Sequence, residues 1–475
     1  MNMDKNKILA KNTIILGIGQ FIPKIIAIIT LPILTKAFTT DEYGIYDLII
    51  SFSSLAIPLM TLLIQQAVFR FLINEENEEK SKLYITNSIV FISLLSLSLF
   101  FIIIIVGSFI GIDLKLLIIA FLVYFAESLY DLFGQIARGY GKNILFSAAV
   151  IMYSIVNMIL LVITVWINYI NIINVLIIIL ISYILALIFL ALKLNITKVF
   201  DINFISLSVI KELLIYSIPI IPSSISLWIV NLSDRVIITY FLGASYNGIY
   251  AASSKIPNLF GTIYNVFNLA WTELASRSIK ESDISDYYSR LFNSLYSFLI
   301  GIMILLISVS PIMFDVLIDN KFSEGYFQIP ILFIGVLLSC FVSFYGGLYI
   351  ALKKTKQVGI SSFMGCILNV IINIIFIKKV GIYAASISTL VSFLVILIYR
   401  FFETKRFIRI KYNYYNICIG IICLLISVFC FYKNNFLFFV FNIIITIIYN
   451  CFFNKFLISI KSIIVSKLKK KKLNI

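Results

Sequence analysis

The sequence predicts an all-α, polytopic membrane protein of about 14 transmembrane helices, 12 of them in two parallel six-helix repeats and two appended. Three observations predict it. Of the 475 residues, 61% are hydrophobic and only 13% charged, and the mean hydropathy is +1.06, far from the composition of soluble domains. The apolar residues fall into runs of bilayer length, about 20 residues each. Lysine and arginine collect in alternate loops, as the positive-inside rule requires of a chain that crosses repeatedly.

The predicted spans lie near residues 12–37, 44–69, 84–110, 116–137, 144–167, 170–192, 212–242, 246–272, 291–318, 327–351, 358–377, 381–401, 415–432 and 436–454. The first is too long for a signal-peptide core, lacks a small-residue cleavage site and carries Lys24 in its middle, so it is expected to be retained as a helix. The division into domains follows: a six-helix bundle over 1–193, a cytoplasmic linker over 194–211, a second six-helix bundle over 212–402, an appended helix pair over 403–454 and a basic cytoplasmic tail over 455–475.

Of the 38 lysines and arginines, 29 fall on one side, including Lys353, Lys354 and Lys356, the Arg400 to Lys411 loop and the tail. Six fall on the other, among them Lys36, Lys321 and Lys433. Both termini are therefore expected in the cytoplasm. The net charge of +16 follows from this asymmetry and from anionic inner-leaflet lipids, so membrane lipids are expected partners and nucleic acid is not.

Histidine is absent, which removes Ser-His-Asp triads, Cys-His dyads and His-ligated zinc sites. The six cysteines lie in or at the edge of apolar runs without metal-ligand pairing. No catalytic residue, metal or cofactor is expected.

An internal echo supports the two repeats. Thr39-Thr40-Asp41-Glu42-Tyr43-Gly44-Ile45-Tyr46 follows the first span, and Gly243-Ala244-Ser245-Tyr246-Asn247-Gly248-Ile249-Tyr250 follows the seventh, sharing Gly-Ile-Tyr. Prolines recur at matching places: Pro23 and Pro32 against Pro219 and Pro222, and Pro58 against Pro257. Six helices per repeat leave both halves in one orientation, and interrupted helices at matching positions point to a transporter's central site.

Charges inside spans are costly and default to function. Lys24 lies about 12 residues from either end of its helix, roughly 18 Å from either surface at 1.5 Å per residue. Asp234 and Arg235 in the seventh span and Lys255 in the eighth are expected at one depth. Glu127 and Asp131, four apart, share a face of the fourth helix. Lys24, Arg235 and Lys255 suit an anionic ligand, and Asp234, Glu127 and Asp131 suit a coupling proton. The alternative is mutual neutralisation, Asp234 with Lys255 and Glu127 with Lys24. Polar residues such as Gln65 and Asn369 suit either a cavity lining or interhelical hydrogen bonds.

The run from Ser233-Asp234-Arg235 to Gly243, followed by Gly248-Ile249-Tyr250-Ala251-Ala252-Ser253-Ser254-Lys255, resembles the central signature of the Wzx-type polysaccharide flippases. The stretch from Lys11 to Tyr46 is similar to that family's opening segment. Through it the chain resembles the multidrug/oligosaccharidyl-lipid/polysaccharide exporter superfamily. The resemblance implies a flippase in a bacterial cytoplasmic (inner) membrane, moving undecaprenyl-diphosphate-linked oligosaccharide repeat units to the outer leaflet by alternating access, for O-antigen or capsule biosynthesis. Polysaccharide polymerase and glycosyltransferases of the same pathway would be its partners. Arg235 and Lys255 match the family's central cations, with Lys24 at the first-helix position. A peptidoglycan or teichoic-acid precursor flippase and a multidrug exporter are alternatives within the superfamily. A membrane-embedded polymerase or glycosyltransferase is the rival from another class, and the short outer loops speak against it.

Overall fold

The computed structural model describes residues 2–73, 75–278, 284–352 and 354–454. Lys280, Lys353 and the basic tail over 455–475 lie outside the described residues. The described chain is helical throughout: α1 (Asn2–Ala37), α2 (Thr40–Thr61), α3 (Ile64–Leu72), α4 (Glu78–Ile110), α5 (Leu114–Gly139), α6 (Asn143–Trp166), α7 (Ile172–Leu194), α8 (Ile196–Val199), α9 (Leu207–Ser217), α10 (Ile221–Leu242), α11 (Ala244–Ser278), α12 (Ile284–Leu317), α13 (Ile329–Ala351), α14 (Thr355–Val380), α15 (Tyr383–Thr404), α16 (Tyr414–Lys433) and α17 (Phe436–Phe452). Every predicted span coincides with one of these helices or with consecutive helices. Among the described residues, 10 helices are long and apolar enough to cross a membrane, and α17 adds a shorter apolar one. The most apolar stretch of α4 has a mean hydropathy of 3.1 with 11% of it buried. A helix that apolar and that exposed requires lipid around it.

Two predicted spans are broken. The second is split between α2 and α3 by Leu62 and Leu63, at φ 43° and 57°, a conformation that costs an L-residue about 1–2 kcal/mol. Pro58 lies inside α2 one turn earlier, and Thr61 bridges the break, donating to the Ile57 carbonyl (2.8 Å) and accepting from the Leu63 amide (3.1 Å). The seventh is split into α9, a turn of 3₁₀ helix at Ile218–Ile220 and α10. Pro219 and Pro222 remove two amide donors there, which accounts for the tighter turn.

The chain forms two compact units that divide between Gly248 and Ile249. In the first, α1 packs on α6, α5 on α7 and α3, and α10 on α2. Its core joins Ile64, Val68, Leu132, Ile136, Ala149 and Leu190. The stretch expected as a linker, 194–211, is fastened to α4: Asn87 donates to the Phe204 carbonyl (2.8 Å) and accepts from the Ser206 amide (2.7 Å).

In the second unit α13, α14 and α15 are knit by Arg400, which the charge count assigned to a loop. It lies within α15 and is 3% exposed. Its guanidinium donates to the Val342 carbonyl (2.7 Å) and to the hydroxyls of Ser361 (2.9 Å) and Ser362 (3.1 Å). The appended α16 and α17 pack on α12 through polar links suited to lipid surroundings: Tyr296 to the Ile417 carbonyl (2.9 Å) and Ser308 to Thr446 (2.7 Å).

The α2/α3 break generates a prediction. Leu62 is only half-buried, so Leu62→Gly should hold or raise the thermal midpoint of the purified protein, because glycine relieves the left-handed conformation. Leu62→Val, β-branched at the same φ, should lower it.

Candidate functional site

Two sites of buried charge occupy the first unit. One lies where α1 joins α2 and α10 joins α11. Thr39 opens α2 with a capping box, its hydroxyl accepting from the Glu42 amide and Glu42 reaching back to the Thr39 amide (2.9 Å). A single residue, Gly243 at φ 99°, joins α10 to α11, and only glycine adopts that backbone readily. The start of α11 therefore lies against the start of α2. The two glycines of the repeated Gly-Ile-Tyr meet there: a methyl group on Gly44 would run into the Ala244 carbonyl, and one on Gly248 into the Thr40 carbonyl. Asn247 donates to the Gly44 carbonyl (2.8 Å), and the hydroxyls of Thr40 and Ser245 lie 2.7 Å apart.

Beneath this seam Arg235 of α10 donates from Nε to Oδ2 of Asp47 on α2, at 2.6 Å. The side chains are 15% and 1% exposed, respectively. Asp47 was not among the residues expected from sequence. It lies one turn past Gly44 and reads as one more acid in the opening turns of a helix, beside Asp41 and Glu42. Only its partner 188 residues away gives it meaning. Asp234, next to Arg235, is 5% exposed, so this region holds two buried carboxylates where the sequence reading counted one.

The second site is built on α5. Asp131 accepts from Gln65 (3.0 Å) and Gln135 (3.4 Å). The α2/α3 break is what directs Gln65 there, because α3 starts afresh at Ile64 and packs on α5. Glu127, one turn away on the same helix face, meets the hydroxyls of Tyr183 and Ser53. The Tyr183 ring stacks on Tyr153 (centroids 4.3 Å apart) and is tilted against Tyr130 (5.4 Å). The carboxylates thus share a face, as their spacing predicts, within a shell of amides and hydroxyls.

Lys24 lies one residue past Pro23 in α1 and is exposed, and Lys255 is half-buried in α11, two residues before Pro257. Lys24 and Arg235 belong to the first unit and Lys255 to the second. Asn369, one of the polar residues singled out from sequence, hydrogen-bonds Ser388 and Thr389 of the neighbouring helix (3.3 and 3.1 Å).

The sequence model of the polysaccharide biosynthesis protein family matches residues 9–272, more than half of the chain and all of the seam. The chain belongs to that family. Among solved structures, the fold of this family member is similar to the lipid II flippase MurJ in an inward closed conformation. The TM-score is 0.73 at 16% identity over 96% of this chain and 100% of that one. It is also similar to a multidrug resistance MATE family transporter of the MOP superfamily, inward-facing, with TM-score 0.62 at 13% identity over 83% and 95% of the two chains. At these identities the likeness is one of fold. An uncharacterized membrane protein of Methanocaldococcus jannaschii is 29% identical over 185 residues, and the match spans 38% of this chain and 43% of that protein.

Removing one member of a buried ion pair costs about 3–5 kcal/mol because it leaves the other charge unpaired. Asp47→Asn and Arg235→Gln should therefore each lower the thermal midpoint markedly. The double variant should be destabilised by much less than the sum. Additive losses in a double-mutant cycle would show that the two side chains are not energetically coupled.

Proposed function

We propose that this protein is a flippase that carries an undecaprenyl-diphosphate-linked oligosaccharide from the cytoplasmic to the outer leaflet by alternating access. The observation that carries the reading is the Asp47–Arg235 pair beneath a seam of glycine contacts. Membership of the polysaccharide biosynthesis family and the fold shared with transporters support it. With the orientation expected from the charge bias, the seam lies on the outer side.

A guanidinium paired with a carboxylate can exchange that partner for a diphosphate, which presents more negative charge and a geometry suited to the planar fork. In this mechanism the diphosphate draws Arg235 from Asp47, frees the seam and commits the loaded protein to opening outward. Lys24 and Lys255 supply further positive charge along the path. Asp234 keeps the region from becoming so cationic that the product cannot leave. Glu127 and Asp131, ringed by hydroxyls and amides, take up the coupling proton. The sugar of the transported unit belongs to an O-antigen, a capsule or a related polymer, and the protein works beside the glycosyltransferases and polymerase of that pathway without catalysing a reaction itself.

Deletion of the gene in its own host should leave lipid-linked oligosaccharide accumulating on the cytoplasmic leaflet and surface polysaccharide depleted. Plasmid-borne protein should reverse both. Arg235→Lys, which keeps charge but loses the fork, should restore transport partially, and Arg235→Gln should fail at matched membrane abundance. No accumulation in the deletion strain, or full activity of Lys24→Ala, Arg235→Ala and Lys255→Ala alike, would overturn the proposal.

A further inference from the structure

A cavity in the second unit lies apart from the Asp47–Arg235 and Glu127–Asp131 sites of the first. It lies between α12 and the hairpin of α16 and α17, with a volume of about 220 Å³, and is partly open to the surroundings. Pro311 inside α12 helps to form it. Proline has no amide to offer the carbonyl one turn back, and the Ser310 hydroxyl donates to that Ile307 carbonyl instead (2.7 Å). The last turns of α12 then lead Asp315 to the rim. The two-residue connection of the hairpin, Asn434 and Asn435, supplies the opposite edge.

Besides the apolar Pro311, Ile312, Cys430 and Phe439, the lining holds three kinds of group. Asp315, Asn434 and Asn435 are exposed at the rim. Tyr326 stacks on Phe431 with ring centroids 4.6 Å apart, and Phe436, 78% exposed, stands at the mouth. At the base lies Asn442, 3% exposed. Its Nδ2 donates to the Ser427 carbonyl (3.2 Å), which fixes the orientation of the amide, and its Oδ1 has no hydrogen-bond partner. A buried carbonyl oxygen without a donor can accept a hydrogen bond from a ligand or water.

The balance of charge decides the ligand class. Among the described residues no lysine or arginine lines the cavity, and the one carboxyl group in its lining is that of Asp315. A phosphate-bearing headgroup would meet a negative charge in the lining and no cation within it. Carboxylate and amide oxygens that accept hydroxyl protons, next to aromatic faces that pack on C–H groups, suit a neutral polyhydroxylated ring. The volume, below the roughly 300 Å³ at the lower end of drug-sized sites, suits a single ring. We infer that this cavity is a subsite for one neutral sugar residue. It would hold a sugar of the transported unit at the outer face, and the choice of a sugar from that unit rests on the flippase reading.

The test is saturation-transfer NMR on the full-length protein in nanodiscs of phosphatidylglycerol, with methyl glycosides of hexoses and N-acetylhexosamines as probes. At least one glycoside should give a saturable signal. Asp315→Asn and Phe436→Ala, both at exposed positions, should keep the wild-type thermal midpoint. Each should weaken that binding, Asp315→Asn by about tenfold or more, the scale of a hydrogen bond to a charged group. The absence of saturable binding to any glycoside, equal binding by wild type and both variants, or displacement by glycerophosphoethanolamine at equal or lower concentration would overturn the inference. Binding of free glycosides does not require transport. Glycoside binding without complementation of the deletion strain would count against the flippase reading alone, and complementation without glycoside binding against the sugar subsite alone.

Discussion

A buried charge cannot be left alone in a membrane protein, and the pairing of Arg235 with Asp47 is the constraint on which the rest of the candidate site depends. Placing a guanidinium inside a span is expensive, and a carboxylate that is 1% exposed is no less so. Each helps to make the other tolerable while α2 and α10 stay in contact. The glycines of the two Gly-Ile-Tyr motifs permit that contact, because any side chain at Gly44 or Gly248 would meet backbone. Electrostatics and sterics therefore fix the same seam. Such a pair is weak evidence for stability, and in the proposed mechanism a competing anion changes which partner the cation keeps.

The same economy of polar groups runs through both units. Lipid offers no hydrophobic drive for helices to associate, so small residues and hydrogen bonds hold them. Arg400 spends its donors on carbonyl and hydroxyl oxygens of α13 and α14, Asn87 ties the 194–211 stretch to α4, and the hydroxyls of Ser308 and Thr446 fasten α17 to α12. Glu127 and Asp131 differ from these. Their partners are amides and hydroxyls, groups that carry both donors and acceptors.

Much of this was legible in the sequence, because hydropathy is a local property that survives any arrangement of helices. All of the predicted spans correspond to helices, and the shared face of Glu127 and Asp131 follows from their spacing alone. The Gly-Ile-Tyr echo was also legible, but its meaning was not: identical motifs 204 residues apart suggest symmetry, and only the folded chain brings the two glycines together. Asp47 and Arg400 were missed for the same reason. Each lies near the end of a predicted span, where positional logic assigns charges to water, and each owes its burial to distant residues. The left-handed pair Leu62 and Leu63 carries no turn signature, since leucine neither favours nor announces such a conformation. Contacts also divide the chain after Gly248, so that α10 groups with the helices before it, whereas the repeat pattern places it with the second six. The seam supplies those contacts.

If that seam must part for transport, fastening it should arrest the protein. Thr40 and Ser245, whose hydroxyls lie 2.7 Å apart, are the positions to fasten, with Thr40→Cys and Ser245→Cys combined in a background in which the native cysteines are replaced. Translocation of lipid-linked oligosaccharide in reconstituted vesicles should stop when the pair is oxidised to a disulfide and resume on reduction, while each single cysteine variant transports under both conditions. Undiminished translocation by the fully crosslinked protein would contradict the account.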